Sequence, residues 1–363
     1  MLLPQINNLL FYKHIFRLRD IAKGCLIYLF YLFQIHKNPA CPLTINFLIT
    51  SSCNFKCNIC SFSNNRNLDL DDITINDIEE FISTQFRYKP FIFFSGGEPF
   101  MRDDFIDILH IVKKYNLKCG INTSGYILDS PKIKQLVGLE IELMIFSLYG
   151  PEETHDAITG IKGSYARTTE NINLFCKNKS KKTKVVLSCT ATKANVDSLE
   201  DIPLIARRLG ADAVKFEHLN FLSNIEFEKN SEYFAKDNYH VNTFITDFDD
   251  SAGVFTKKLI EKLKNIKRKY GNFVFIKPDL NNEEIRNWYS NEFHSKRKCF
   301  FIWHSIFVRP DGIIVPCQFF LNYELGNIRE ANLKDIFYNE KILNLRKLSR
   351  KRLLSHCSRC CKL

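Results

Sequence analysis

Ser52-Cys53-Asn54-Phe55-Lys56-Cys57-Asn58-Ile59-Cys60 follows the apolar run Leu43–Ile49, and Gly96-Gly97-Glu98-Pro99 follows the next such run, Phe91–Ser95. The first stretch separates its three thiols by three and then two residues, a spacing that can wrap one corner of a metal group. A tetrahedral zinc site asks for a fourth protein ligand nearby, and residues 61–80 contain neither Cys nor His. Soft thiolates suit iron–sulfur chemistry, and three of them on a four-iron cluster leave one iron open to a small molecule. A zinc site or three unrelated buried cysteines is the competing reading.

Outward from these loops, the chain alternates strand-like and helix-like segments as far as Phe221. Strand candidates are Leu43–Ile49, Phe91–Ser95, Cys119–Thr123, Leu143–Ser147, Lys184–Thr190 and Ala213–Glu217. Each is a short apolar or β-branched run followed by turn residues. Helix candidates lie between them: Ile75–Phe86 opened by Thr74 with Asp77, a segment from Asp103 to Tyr115, one starting at Ser130-Pro131, Ser164–Cys176 and Val196–Leu209. Six such repeats predict an α/β fold with a parallel sheet or partial barrel and right-handed crossovers. Chemistry in such folds sits at the C-terminal strand ends. Cys53, Gly96–Pro99, Asn122-Thr123 and Ser147 all fall there.

The two loops together resemble the radical S-adenosylmethionine superfamily. The resemblance implies a partial (β/α)6 barrel over 43–221. It implies that Cys53, Cys57 and Cys60 hold a [4Fe–4S] cluster whose open iron chelates the amine and carboxylate of S-adenosylmethionine. Gly96, Gly97, Glu98 and Pro99 would lie against the methionyl amino group, with glycine for close approach and Glu98 as partner of the ammonium. Ile59 matches the apolar position that packs near adenine. Asn122-Thr123-Ser124-Gly125 resembles the third-strand motif, and Ser147 matches a position that contacts ribose or carboxylate. The segment from Ser147 to Tyr165, with His155 and Asp156, and that from Thr190 to Asn195 also resemble family stretches; His155 and Asp156 read as structural.

Residues 222–290 read as a connector or insertion, acidic at first and then carrying a lysine-rich helix candidate, Phe255–Tyr270. From 291 to 363 the cysteines return: Cys299, Cys317, Cys357, Cys360 and Cys361. This region resembles the auxiliary-cluster domains of the same superfamily, SPASM when complete and twitch when shortened. The complete type has seven cysteines and two clusters. Four well-spaced cysteines and a spare favour one auxiliary [4Fe–4S] cluster on Cys299, Cys317, Cys357 and Cys360. Four protein ligands leave no open iron, which suits electron transfer to or from a substrate radical. A four-cysteine zinc knuckle is the alternative. Cys25, Cys41, Cys119, Cys176 and Cys189 read as small core residues.

The ends carry the charge. Of a net +11, residues 1–40 supply +4 and residues 331–363 supply +7, so the middle is neutral. That distribution argues against a nucleic-acid partner. The odd total of 13 cysteines is a poor disulfide framework. With no secretory pattern at the N-terminus, a reducing, cytoplasmic setting is expected. Residues 1–42 read as an amphipathic helical extension. Its longest apolar run, Cys25–Phe33, is far short of a membrane span; the helix either packs on the main domain or lies on a membrane surface. The basic run Arg346–Arg352 reads as a solvated helix face.

The expected activity is therefore reductive cleavage of S-adenosylmethionine to a 5′-deoxyadenosyl radical. Hydrogen abstraction would follow, and then oxidation or cross-linking of a peptide or small-molecule substrate. A flavodoxin- or ferredoxin-like donor would supply the electron. The rival expectation is a non-enzymatic zinc-binding scaffold on a membrane surface.

Overall fold

The computed structural model describes residues 17–33, 35, 42–60, 72–235, 243–250, 253–330, 332–351 and 353–363, the side chains of 230–235 excepted. Cys41 and the first sixteen residues of the expected extension lie outside the described residues.

Six strands, β1 (Thr44–Leu48), β2 (Phe91–Ser95), β3 (Cys119–Thr123), β4 (Leu143–Ser147), β5 (Lys184–Ala191) and β6 (Ala213–His218), run parallel in sequence order. The expected partial barrel is present. Helices α2 (Ile75–Gln85), α3 (Phe105–Lys114), α4 (Ser130–Gly138), α5 (Glu152–Thr159), α6 (Ser164–Asn178) and α7 (Asp201–Leu209) fill the crossovers. Thr74 and Asp77 form the anticipated capping box at the start of α2. At α4 the cap is Asp129, whose carboxylate accepts the Lys132 N–H, so Ser130 is already inside the helix. Helix α5 was not legible as a separate element because its eight residues carry little apolar periodicity.

Strand side chains alternate between two faces. Phe146, Val185, Leu187, Val214 and Phe216 point outward into the helix-packed core. Leu143, Ile145, Val186 and Ala213 point inward, with Phe91 and Phe93 against them.

The sheet also takes in strands from beyond residue 221. β7 (Phe221–Leu222) and β8 (Phe244–Ile245) form a separate two-stranded ribbon beside α8 (Asn224–Ala235). After α9 (Val254–Tyr270), β9 (Val274–Lys277) adds to β6 in parallel. Past α10 (Asn282–Trp288), β10 (Ser305–Val308) adds to β1 at the other edge. The antiparallel strands β11 (Ile313–Val315) and β12 (Gly326–Asn327) follow β10. The ten-stranded order is β12-β11-β10-β1-β2-β3-β4-β5-β6-β9. The C-terminal region is thus part of the same sheet, closed by α11 (Leu333–Tyr338), α12 (Glu340–Lys351) and α13 (Ser355–Ser358).

The basic run on α12 is only partly solvated, contrary to expectation. Arg346 is fully buried, stacked over the Trp303 and Phe337 rings, and donates to the Ile302 and Phe337 carbonyls. Lys347 and Lys351 remain exposed. The N-terminal helix α1 (Leu18–Leu32) docks on this region through buried Ile27 and through Tyr31, which meets Trp303 and Phe300 edge-on. Its outer side leaves Leu18, Ile21, Leu29, Leu32 and the following Phe33 exposed. No described helix is long and apolar enough to cross a membrane.

Candidate active site

The three clustered cysteines occupy the loop after β1, half-buried at the C-terminal end of the barrel. Two contacts seat this loop on the end of α5: the Lys56 N–H donates to the Thr159 carbonyl and the Asn58 N–H to the Ile158 carbonyl. On its other side the loop is clamped by the glycine segment. The Gly97 N–H donates to the Thr50 carbonyl and the Glu98 N–H to the Ser52 carbonyl, both at 2.8 Å. A Cβ on Gly97 would lie 2.1 Å from the Ser52 carbonyl oxygen, and one on Gly96, at φ +130°, 2.5 Å from that of Thr50. The glycines therefore permit backbone-on-backbone contact with the cysteine loop itself.

Glu98 departs from expectation. Its carboxylate is 1% exposed and is taken up by protein donors. These are Thr123 Oγ1 at 2.6 Å, the Ser124 N–H at 2.7 Å, Ser124 Oγ at 2.8 Å and the Phe100 N–H at 3.3 Å. Burial pushes its pKa up while these donors pull it down. Four bonds fill the carboxylate's lone-pair directions, so Glu98 braces the end of β3 against the β2 loop and is not presented to an ammonium. The third-strand motif is in place because Glu98 holds it. Pro99 is buried at the start of a short turn, Pro99–Met101.

Asn122 is half-buried on the inner face of β3, in register with Ile145 of β4. Ser147 ends β4 and shares a hydrogen bond with the Tyr149 hydroxyl, which lies close enough to Cys57 and Cys60 to feel their charge. Burial first, then those thiols, raise the Tyr149 pKa. His155 is fully buried behind Tyr149, stacked at 5.7 Å, and its Nδ1 accepts the Tyr149 N–H. Burial lowers its pKa to about 4, so it is neutral. Asp156 accepts from the Gly163 and Tyr165 N–H groups and Ser164 Oγ, capping α6. Both residues are structural, as expected.

Ile59 is half-buried against the main core. Asn54, inside the cysteine loop, has a buried side-chain amide whose N and O both lack a partner among the described residues. An orphaned amide beside three thiols fits a loop built around a bound group.

The second set is assembled from distant segments. Cys299, Cys317, Cys357 and Cys360 line one apolar recess, walled by Phe301, Phe319, Phe320 and leucines from α12. Burial raises the thiol pKa values of Cys299, Cys317 and Cys357, that of Cys317 to about 12, and the hydrogen bond with Cys361 together with burial raises that of Cys360. The backbone N–H groups of Ile302 and Phe301 donate to Cys299, and those of Phe319 and Phe320 to Cys317. A dry recess that makes thiolates costly, yet aims amides at the sulfurs, fits a cluster whose irons compensate the charge. Cys361 is not in this recess. It lies near Lys362, Glu217 and Lys215, at the inner face of β6. Its thiol nevertheless shares a hydrogen bond with that of Cys360, so the two sulfurs stay side by side. No disulfide joins any described cysteine.

Arg359 holds the Cys357–Cys360 turn. Its guanidinium is fully buried, pairs with Glu226 and donates to the Trp288 and Ser290 carbonyls. It also lies 4.2 Å over the Phe221 ring. Sequence reasoning missed this pair, which spans 133 residues.

Residues 47–202 match the Radical SAM superfamily, and residues 299–361 match SPASM, an iron-sulfur cluster-binding domain. The chain belongs to the radical SAM superfamily. It is 25% identical over 336 residues to the tungsten-containing aldehyde ferredoxin oxidoreductase cofactor-modifying protein of Pyrococcus furiosus, covering 86% of this chain and 85% of that one. It is 21% identical to the PqqA peptide cyclase of Gluconobacter oxydans, over 85% and 79% of the two chains. Its fold matches the crystal structure of SuiB from Streptococcus suis with a TM-score of 0.64 at 14% identity, covering 87% of this chain and 70% of that one. This radical SAM enzyme thus has a barrel that binds a [4Fe–4S] cluster and S-adenosylmethionine, and a SPASM domain that binds auxiliary iron–sulfur.

Proposed function

We propose that Cys53, Cys57 and Cys60 ligate the S-adenosylmethionine-binding cluster, and that Cys299, Cys317, Cys357 and Cys360 ligate one auxiliary [4Fe–4S] cluster. When bound, the first cluster and S-adenosylmethionine supply a 5′-deoxyadenosyl radical. The residues around them position and shield. Ile59 and the main chain of Gly96, Gly97 and Pro99 offer walls to S-adenosylmethionine, Asn122 and Ser147 offer polar contacts from the inner face, and Glu98 keeps the loops registered from behind. The reaction is an oxidation or cross-link on a peptide or small molecule, with a flavodoxin- or ferredoxin-like protein as electron donor.

One observation carries this reading. The chain's end stays at the second cysteine set, where Lys362 and Leu363 line the same recess as Cys360, yet Cys361 and Lys362 are close enough to Glu217 on the inner face of β6 to interact with its charge. An auxiliary cluster there borders the chamber in which a substrate radical would form. The test is anaerobic reconstitution with iron and sulfide, then dithionite and S-adenosylmethionine. Methionine and 5′-deoxyadenosine in equal amounts are expected; a chain that binds iron yet leaves S-adenosylmethionine intact would overturn the reading.

A second reading concerns α1, whose exposed Leu18, Leu29, Leu32 and Phe33 form an apolar side and whose C-terminal end is met by Arg350 of α12, which donates to the Tyr31 carbonyl. We propose that this face rests on an anionic membrane. Co-sedimentation with anionic vesicles should be lost on deleting residues 1–33; equal binding by both forms removes the idea.

A further inference from the structure

The inner face of the barrel changes character along its strands. At the N-terminal ends Leu143, Ile145, Val186, Ala213 and Phe275 form an apolar floor. Towards the C-terminal ends the same face becomes polar and charged. Ser147 is in register with Ser188, Ser188 with Lys215, and Glu217 with Lys277. Registered residues share a face, and neighbouring strands are about 4.8 Å apart. Lys215 therefore stands about two strand spacings from Ser147, which adjoins Tyr149 and the first cysteine loop.

Glu217 accepts from Lys215 at 3.0 Å and from Ser188 Oγ at 3.1 Å, so one negative charge is matched by one positive charge. Lys277 is surplus. It is half-buried on the inner face and has no carboxylate within ion-pair distance among the described residues. The nearest acid in sequence, Asp279, pairs with Lys267 at 3.0 Å. Lys362, from the chain's end, adds positive charge close to both Glu217 and Lys277. Burying an ammonium without a partner is costly. Burial and the neighbouring lysines depress the Lys277 pKa, and the surrounding cations hold Glu217 down to about 2. This sheet face carries one carboxylate, Glu217, and two ammonium groups, Lys215 and Lys277, which leaves one positive charge for an anion. S-adenosylmethionine's own carboxylate is chelated at the first cluster under the function proposed above, on which this inference rests, so the free anion belongs to the substrate.

We propose that Lys215 and Lys277, braced by Glu217 and Ser188, form a subsite on the inner face of β6 and β9 that holds a carboxylate of the substrate. The subsite anchors the substrate's acidic end against β6 and β9 and directs its neighbouring carbon towards the first cysteine loop.

The probes are glutarate, an acetylated and amidated diglutamate peptide and its diglutamine counterpart. Each is titrated by saturation-transfer NMR against the reconstituted full chain with S-adenosylmethionine bound. Both carboxylate probes, or either one, should bind in preference to diglutamine; which binds tells a peptide acid from a small organic acid. Lys277→Gln should weaken carboxylate binding about tenfold, the scale of one lost charge-assisted contact. Lys277→Arg should retain it, and Lys347→Gln on the exposed face of α12 should have no effect. Glu217→Gln removes the competing negative charge and should tighten binding, a sign that damage to the fold does not produce. Equal binding of all three probes, an unchanged Lys277→Gln, or a loss that falls on S-adenosylmethionine affinity would overturn the subsite. Those results leave 5′-deoxyadenosine formation by the parent chain intact, whereas absence of that product would overturn the function itself.

Discussion

The two cysteine sites of this chain are built in opposite ways. The first gathers its three thiols within eight residues of one loop, and its support is backbone: the Gly96-Gly97 segment lies against Thr50 and Ser52, and Thr159 and Ile158 accept from the loop's other side. The second collects four thiols from positions 299 to 360, and its support is side chain: Arg359 paired with Glu226, and Arg346 stacked on Trp303. A site made within one loop tolerates variation elsewhere but not the loss of a glycine. A site made by tertiary contact depends on charges far away in sequence.

Removing a thiol from each site should break this comparison most sharply. Cys57→Ala is expected to abolish 5′-deoxyadenosine formation, a loss of at least about a thousandfold because no other group holds S-adenosylmethionine for reduction. Cys317→Ala should leave that cleavage within a few fold while the substrate product disappears. Chromatography of both products in one reaction checks both outcomes, and equal losses would erase the distinction between the sites.

Backbone support predicts the next effect. Gly97→Ala places a methyl group into the Ser52 carbonyl. Overpacking of that kind costs about 1–3 kcal/mol or more, and here it falls on the loop carrying Cys53. Iron at the first site should be lost while the second retains about four atoms, read as an iron and sulfide assay on the variant.

Side-chain support predicts the third. Glu226→Gln leaves the buried Arg359 guanidinium without its counter-charge, and breaking a buried pair costs about 3–5 kcal/mol. The auxiliary iron should be lost first, with a lowered thermal midpoint and S-adenosylmethionine cleavage largely kept. Loss of cleavage with retention of auxiliary iron would reverse the comparison.

The same contrast explains what the sequence disclosed. The six barrel strands were legible because each is a short apolar run before a turn, and the first site because its ligands and their spacing sit in one stretch. The four auxiliary cysteines were legible from their spacing, with Cys361 as the spare; the fold puts Cys360 and not Cys361 on the recess wall while leaving the two thiols hydrogen-bonded to each other, a contact that spacing does not disclose. Glu98 was read as the partner of the methionyl ammonium, whereas its carboxylate is buried and held by Thr123 and Ser124. Its donors, Thr123 and Ser124, lie 25 and 26 residues away and are brought to it only by strand pairing. The charged inner row was missed for a related reason. Lys215 and Glu217 alternate with apolar residues in β6, a signal that was available, but Lys277 joins them only once a region read as connector contributes β9.

The central claim is that one chain holds two four-iron clusters, one for S-adenosylmethionine and one beside the substrate chamber. Iron and labile sulfide per chain, measured after anaerobic reconstitution, test it most directly. About eight of each are predicted. About four of each, or zinc in place of iron at the C-terminal cysteines, would contradict it.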